Sequence, residues 1–157
     1  MTFSVMGVVL SSRYNYAMDE FRFYYPIVVR YSDLDPQWHV NNAKFMSYVE
    51  QARFAYLLNL GLIDGQNFLE LPLIVADVHI AFLSPIFLES SLRVGMRVEK
   101  IGNKSLTMAS RLEDTEKGIV HGTAEVVMVA YDYHAHASVP VSAEWRKIIS
   151  EFEGKSF

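Results

Sequence analysis

Apolar and polar residues alternate with a period of two through most of the chain and switch to helical spacing in two places. Phe21, Phe23, Tyr25, Ile27, Val29 and Tyr31 share one face of a predicted strand over 21–31. Pro26 lies inside it and lacks the ladder N–H, which predicts an edge strand or a bulge. From Asn42 to Leu60 the spacing becomes helical. Phe45, Val49, Ala52 and Tyr56 form one stripe with Met46, Leu57 and Leu60 beside it, while Lys44, Ser47 and Gln51 mark a wetter side. Such a helix spans about 28 Å at roughly 1.5 Å per residue. Gly61 suits its C-terminal end, and Glu50 and Arg53, three apart, can pair on its surface. Strand-like runs over 73–83, 90–101, 105–113 and 119–131 follow, separated by Ser84-Pro85, Gly102-Asn103 and the polar turn 114–118. Short polar turns of this kind predict an antiparallel meander. Ser142 is placed to cap a last helix from Ala143 to about Phe152. The resulting fold class is α+β: one long helix on a five-stranded antiparallel sheet, with a short C-terminal helix. Residues 1–20 fit no element and are read as an N-terminal extension of a single domain over 21–157.

The chemistry gathers between the first strand and the long helix. Asp33 and Asp35 flank Leu34, Pro36 and His39 follow, and Asn41-Asn42 opens the helix. Asparagine is a favoured N-cap because its side-chain oxygen accepts from an orphaned backbone N–H. The loop therefore brings carboxylate, imidazole and amide groups to the positive end of a helix, a seat for an anion or a developing oxyanion. Plain turn chemistry explains an aspartate beside a proline equally well. Asp33 falls on the other side of the backbone from Asp35 and is read as a brace for the loop. His39 is either a general base near neutral pH or a hydrogen-bonding post for Asp35 and the helix start. Asn41 is either a cap alone or an orienting group for water or substrate.

Asp33-x-Asp35-x-x-x-His39-Val40-Asn41-Asn42, followed by Tyr48-x-Glu50-x-Ala52-Arg53, resembles the 4-hydroxybenzoyl-CoA-thioesterase-like family of hotdog-fold acyl-CoA thioesterases. The resemblance runs over about 21–131 and fits the branch with Asp-x-x-x-His-Val-Asn-Asn. It implies that Asp35 is catalytic and that the Asn42 N–H binds the thioester carbonyl. Trp38 stands where glycine is common in the family, and Phe45 where tyrosine is common; both bear on the substrate mouth. The resemblance further implies a hotdog sheet with its first strand at one edge. The strand after the helix forms the other edge and pairs with its twofold mate, giving a dimer or a dimer of dimers. The implied substrate is an acyl-CoA, with an acyl-carrier-protein thioester as the variant, and no cofactor or metal is needed. Phe45, Val49 and the 73–83 strand are expected to bound an apolar acyl pocket. Two other readings stay open: a non-catalytic acyl-thioester-binding module, and a hotdog dehydratase or hydratase using His39 with Asp35.

Composition narrows this little further. A chain of 157 residues, 51% apolar and 13% aromatic, suits one core with apolar surface to spare for a pocket or an interface. A net charge of -4 argues against a nucleic-acid binder. The absence of cysteine excludes disulfides and thiol nucleophiles. No run approaches the roughly 20 apolar residues of a membrane span. The short apolar stretch 5–10 lacks a basic start, so a cytoplasmic location without a signal peptide is expected. Lys104, at a hairpin turn among Arg93, Arg97, Lys100 and Arg111, is the candidate partner for coenzyme A phosphates. Asp77 with His79 has two-ligand spacing but no third ligand nearby, and the same holds for His134 with His136. His121 is read as lying on a strand face without chemical duty.

Overall fold

The computed structural model describes residues 21–66 and 72–157; the extension read over 1–20 lies outside them. Strand β1 (Phe23–Ile27) leads through a single 3₁₀ turn, Tyr31–Asp33, into helix α1 (Asn42–Asn59). Strands β2 (Leu73–Phe82), β3 (Leu92–Ile101), β4 (Ser105–Asp114) and β5 (Val120–Asp132) follow, then β6 (Ala137–Ser138) and α2 (Ala143–Glu153). The sheet is antiparallel in the order β1-β3-β4-β5-β2, with β6 paired to the end of β5. Pro26 is accommodated as expected: β1 is an edge strand, and its missing N–H costs no ladder bond on the open side.

Period-two alternation divides the sheet into an inner face against α1 and an outer face. Val94, Met96 and Val98 of β3, Leu106, Met108 and Leu112 of β4, and Ala124, Val126 and Met128 of β5 are buried in one cluster. Phe45, Tyr48, Val49, Ala52, Tyr56 and Leu57 of α1 join that cluster. Each large side chain enclosed there contributes about 1.5–3 kcal/mol relative to exposure. Gly122 marks the closest approach. A Cβ there would lie 2.6 Å from both the Phe45 ring and the Ala81 carbonyl oxygen, so α1 and β2 use the space a side chain would need.

The first strand stops at Ile27 instead of running on to Tyr31. Arg30 donates its backbone N–H and its guanidinium to the Asp33 carboxylate, and this local capture turns the chain out of the ladder. Phe21 also leaves the face shared by Phe23 and Tyr25. Its ring covers Gly95 on the outer face, with the guanidinium carbons of Arg97 and Arg111 5.0 and 5.1 Å from its centre. On that face Glu113 bridges Arg93 and Arg111, and Arg97 pairs with Glu99, so these cations meet carboxylates within the sheet.

Helix α2 is capped by Ser142, whose hydroxyl accepts from the Trp145 N–H, and ends at Gly154 in the left-handed region. Glu153 ties it to both layers: its Oε1 accepts from the Tyr56 hydroxyl at 2.5 Å and the Val98 N–H at 3.0 Å. Burial and this carboxylate push the Tyr56 phenol far above the usual tyrosine range, keeping it a donor. Glu153→Ala orphans a buried hydroxyl and a backbone N–H, and a loss of about 1–3 kcal/mol is expected. Urea denaturation should show the midpoint falling; an unmoved midpoint would show that α2 is held by apolar packing alone.

Candidate active site

The loop between β1 and α1 is built on Asp33. Its carboxylate has no exposed surface and accepts from the Arg30 N–H at 3.0 Å and the Tyr48 hydroxyl at 2.8 Å. The Arg30 guanidinium closes the set at 3.3 and 3.4 Å. Burial alone would raise the Asp33 carboxyl, but the Tyr48 and Arg30 bonds and the Arg30 charge outweigh it and hold it below the usual range. Burial together with Asp33 pushes the Tyr48 phenol well up in turn. The expectation of a brace at Asp33 describes this arrangement, and Tyr48 is the partner that sequence reasoning missed.

Above the brace the loop closes on itself. Leu34 and Val40 form an isolated antiparallel bridge, Asn41 N–H donates to the Asp33 carbonyl at 2.9 Å, and Asp35 N–H donates to the His39 carbonyl at 3.0 Å. Asp35 Oδ1 accepts from the Gln37 N–H at 2.8 Å, leaving Oδ2 3.7 Å from His39 Nδ1. Both side chains are partly exposed, at 18% for Asp35 and 28% for His39. Trp38 occupies the tight end of the loop with φ 62 and donates its N–H to the Asp35 carbonyl at 3.0 Å. A left-handed conformation costs a non-glycine residue about 1–2 kcal/mol, which is why glycine suits this position. The Trp38 ring stays 66% exposed and meets Tyr31 edge-on.

At the helix start Asn41 is the cap. Its side chain accepts from the Ala43 N–H at 2.9 Å, and its carbonyl accepts from Lys44 at 2.8 Å and Phe45 at 3.2 Å. The cap therefore engages the N–H groups of residues 43–45 but not that of Asn42, the first helical residue. Asn42 lines a cavity of about 870 Å³ together with Gln37, His39, Val40 and Phe45. Its other wall is the end of β2 and the turn after it: Phe82, Leu83, Ser84, Pro85, Ile86 and Phe87. Phe45 and Phe82 meet edge-on at 5.1 Å. Asp35 lines a hollow of about 410 Å³ with Tyr31, Ser32, Leu34, Pro36 and Trp38, and its Oδ2 lies 3.7 Å from His39, which lines the cavity.

Asp35, His39, Asn41, Asn42, Trp38 and Phe45 are thus brought together at one end of the sheet. Two expected substrate residues are not among them. Val49 has no exposed surface and lies inside the core, because the helix turns its side chain onto the sheet one turn beyond Phe45. Lys104 sits at the β3–β4 turn, at the opposite end of β4 from Leu112, the residue that pairs with Gly122, and its Nζ donates to the Ser138 carbonyl at 2.8 Å. Asp77 and His79 are exposed on the edge strand β2, and no group of three or more His, Asp or Glu among the described residues is arranged to hold a metal. Of the cavity wall, Phe82 and Leu83 belong to the strand expected to bound the pocket, while 84–87 went unread, because Ser84-Pro85 signals only where a strand ends.

A sequence profile described as the thioesterase-like superfamily matches residues 29–149, taking in the loop, α1, the strands from β2 onward and most of α2. The chain belongs to that superfamily. It is similar to the long-chain acyl-CoA thioesterase FadM of Escherichia coli, 23% identical over 125 residues covering 80% of this chain and 95% of the relative. Among solved structures it is similar to a Thermus thermophilus thioesterase complexed with coenzyme A and zinc. That match has a TM-score of 0.78 and 30% identity over 89% of this chain and all of the other. A 1,4-dihydroxy-2-naphthoyl-CoA thioesterase from Synechocystis, 18% identical with a TM-score of 0.74 over 83% of this chain and 97% of its own, shares the fold. The superfamily is that of the hotdog fold, as the element order and the long helix on the sheet require. No helix among the described residues is long and apolar enough to cross a membrane.

Asp33 gives the site a pH signature. Its carboxyl lies below 3.8 when folded, so its stabilising contribution is present above that pH and is lost as the pH falls through the folded value. Asp33→Asn should lower the melting temperature at neutral pH and flatten the decline of stability below about pH 4. Melting curves over pH 2–7 test this; an acid limb as steep in the variant as in the parent would assign that limb to other carboxylates.

Proposed function

We propose that this chain hydrolyses acyl-CoA thioesters to a free acid and coenzyme A at the start of α1. The observation that carries the reading is the Asn42 N–H: the cap passes it by, and Asn42 lines the large cavity beside His39. A donor held at a helix N-terminus suits a thioester carbonyl, whose oxygen gains negative charge as the tetrahedral intermediate forms. Asp35, 3.7 Å from His39, either takes a proton from water or attacks the carbonyl carbon to form a transient anhydride. By the first route water forms the new C–O bond as Asp35 takes its proton, and the C–S bond breaks to release the coenzyme A thiolate, which is protonated. By the second Asp35 displaces the thiolate, and water then hydrolyses the anhydride to the free acid and restores the carboxylate. His39 orients Asp35 through the loop that their backbone bond closes. The acyl group belongs in the cavity among Phe45, Phe82, Leu83, Ile86 and Phe87, whose rings and methyl groups supply an apolar wall.

Asp35→Asn keeps the shape of the loop and removes the charge. A fall in kcat of about 10²–10⁴-fold is expected, with a smaller loss for His39→Ala. Thiol release from a panel of acyl-CoA chain lengths reads both. Full turnover in Asp35→Asn would remove the carboxylate from the mechanism, and tight binding without thiol release by the parent chain would identify a binding module instead.

The reading includes a homo-oligomer built from dimers. Strand β2 pairs only with β5 among the described residues, and exposed apolar side chains collect along it and just beyond. Val75 is 42% exposed, Phe82 49%, Leu83 48% and Leu88 45%. An open strand edge beside apolar surface invites pairing with a second copy. Light scattering at micromolar concentration should report twice or four times the chain mass; a monomer there would leave the edge unpaired and overturn the dimer.

A further inference from the structure

We propose that His121 is a positioning residue for this site: it holds the 83–86 cavity wall through the Ser84 carbonyl, and through that wall the loop carrying Asp35 and His39. The proposal rests on the functional reading above. His121 lies on β5 at a bulge, where Leu112 pairs with Gly122 and Glu113 with Val120, leaving it without an opposite residue on β4. It is only 2% exposed. Backbone and ring grip the same segment. The His121 carbonyl accepts from the N–H groups of Leu83 at 2.9 Å and Ser84 at 3.1 Å, and ring Nδ1 lies 3.4 Å from the Ser84 carbonyl oxygen. Two residues on, the Ile86 carbonyl accepts from the Val40 N–H at 2.8 Å. Val40 follows His39 directly and bridges Leu34, the neighbour of Asp35. The catalytic loop is thus tied to β5 through one short wall.

A carbonyl has no proton to give, so the ring must carry one on Nδ1 for this contact to be a hydrogen bond. That places the bare nitrogen, Nε2, in the interior, where it has no hydrogen-bond partner among the described residues. Among the described residues the Oδ2 of buried Asp114 likewise has no partner, while its Oδ1 accepts from Glu116 and Lys117 N–H groups. Burial holds the imidazole below its usual range although Ser84, Asp114 and Pro85 favour the charged form; Lys117 opposes it. A leucine would fill such a place without an orphaned nitrogen, so folding alone does not ask for histidine here. The grip on the wall does.

The test compares His121→Leu with His121→Asn, which keeps an N–H donor near the Nδ1 position. In His121→Leu, amide exchange at Val40 should quicken about tenfold, the scale of one lost buried hydrogen bond. Its kcat/KM for acyl-CoA should fall by a similar factor, and His121→Asn should restore both. Unchanged Val40 exchange in His121→Leu, or no recovery in His121→Asn, overturns the proposal. Should neither variant fold, ¹⁵N NMR of the parent chain decides: the proposal requires the Nδ1–H tautomer at neutral pH, and the Nε2–H tautomer defeats it. The exchange and tautomer readings need no turnover. A parent chain inert toward acyl-CoA would therefore defeat the hydrolase reading while these measurements still judged the wall.

Discussion

The buried Asp33 carboxylate is the constraint on which the site depends. A charge taken out of water is unfavourable unless donors surround it, and this one draws its donors from both elements it separates. Arg30 comes from the chain leaving β1, and Tyr48 from the second turn of α1. Satisfying one carboxylate therefore ends the strand, forms the 3₁₀ turn and sets where α1 lies. Only then do Asp35 and His39 close their loop and Asn42 begin the helix. The reactive carboxylate of the proposed mechanism is thus held by a second one, two residues earlier, whose work is structural.

Much of the architecture was legible because it depends on local rules. Pro26 forecast an edge strand, Asn41 and Ser142 their caps, and Glu50 its pairing with Arg53 at 3.4 Å. The helix and the β3–β4–β5 meander follow from periods of 3.6 and 2, which single side chains cannot disguise. Strand β2 leaves the meander to pair with β5 at the far edge, a placement implied by the family resemblance and not by the turns. What escaped depends on tertiary placement. Phe21 keeps the parity of Phe23, yet it precedes the ladder and turns to the outer face, where a glycine on another strand leaves room for its ring. The β6 pairing at Ala137–Ser138 is too short to produce a pattern.

The site was legible as far as its motif reached. From 33 to 45 the residues are near neighbours, and their grouping follows from chain connectivity. The opposite wall of the cavity arrives from some forty residues further on; the 73–83 strand was expected there, but no spacing rule connects Ile86 or Phe87 to Asn42. His121 lies further away still, and its ring meets a backbone carbonyl, a partner that leaves no trace in side-chain patterning. Val49 shows the limit of reading a stripe: the pattern put it beside the expected pocket, and in the structure it faces the sheet without exposed surface, while Phe45 one turn earlier lines the cavity.

The contact at Gly122 makes the evolution of this cavity one-directional. Two neighbours exclude a side chain there: the Phe45 ring and the Ala81 carbonyl oxygen. The ring can be exchanged for something smaller by a substitution at 45, but the carbonyl is main chain and stays whatever residue 81 becomes. Trimming Phe45 would therefore widen the cavity without freeing position 122 to vary. At this contact the cavity can be reshaped from position 45 on the helix, while position 122 on the sheet is closed to the same search.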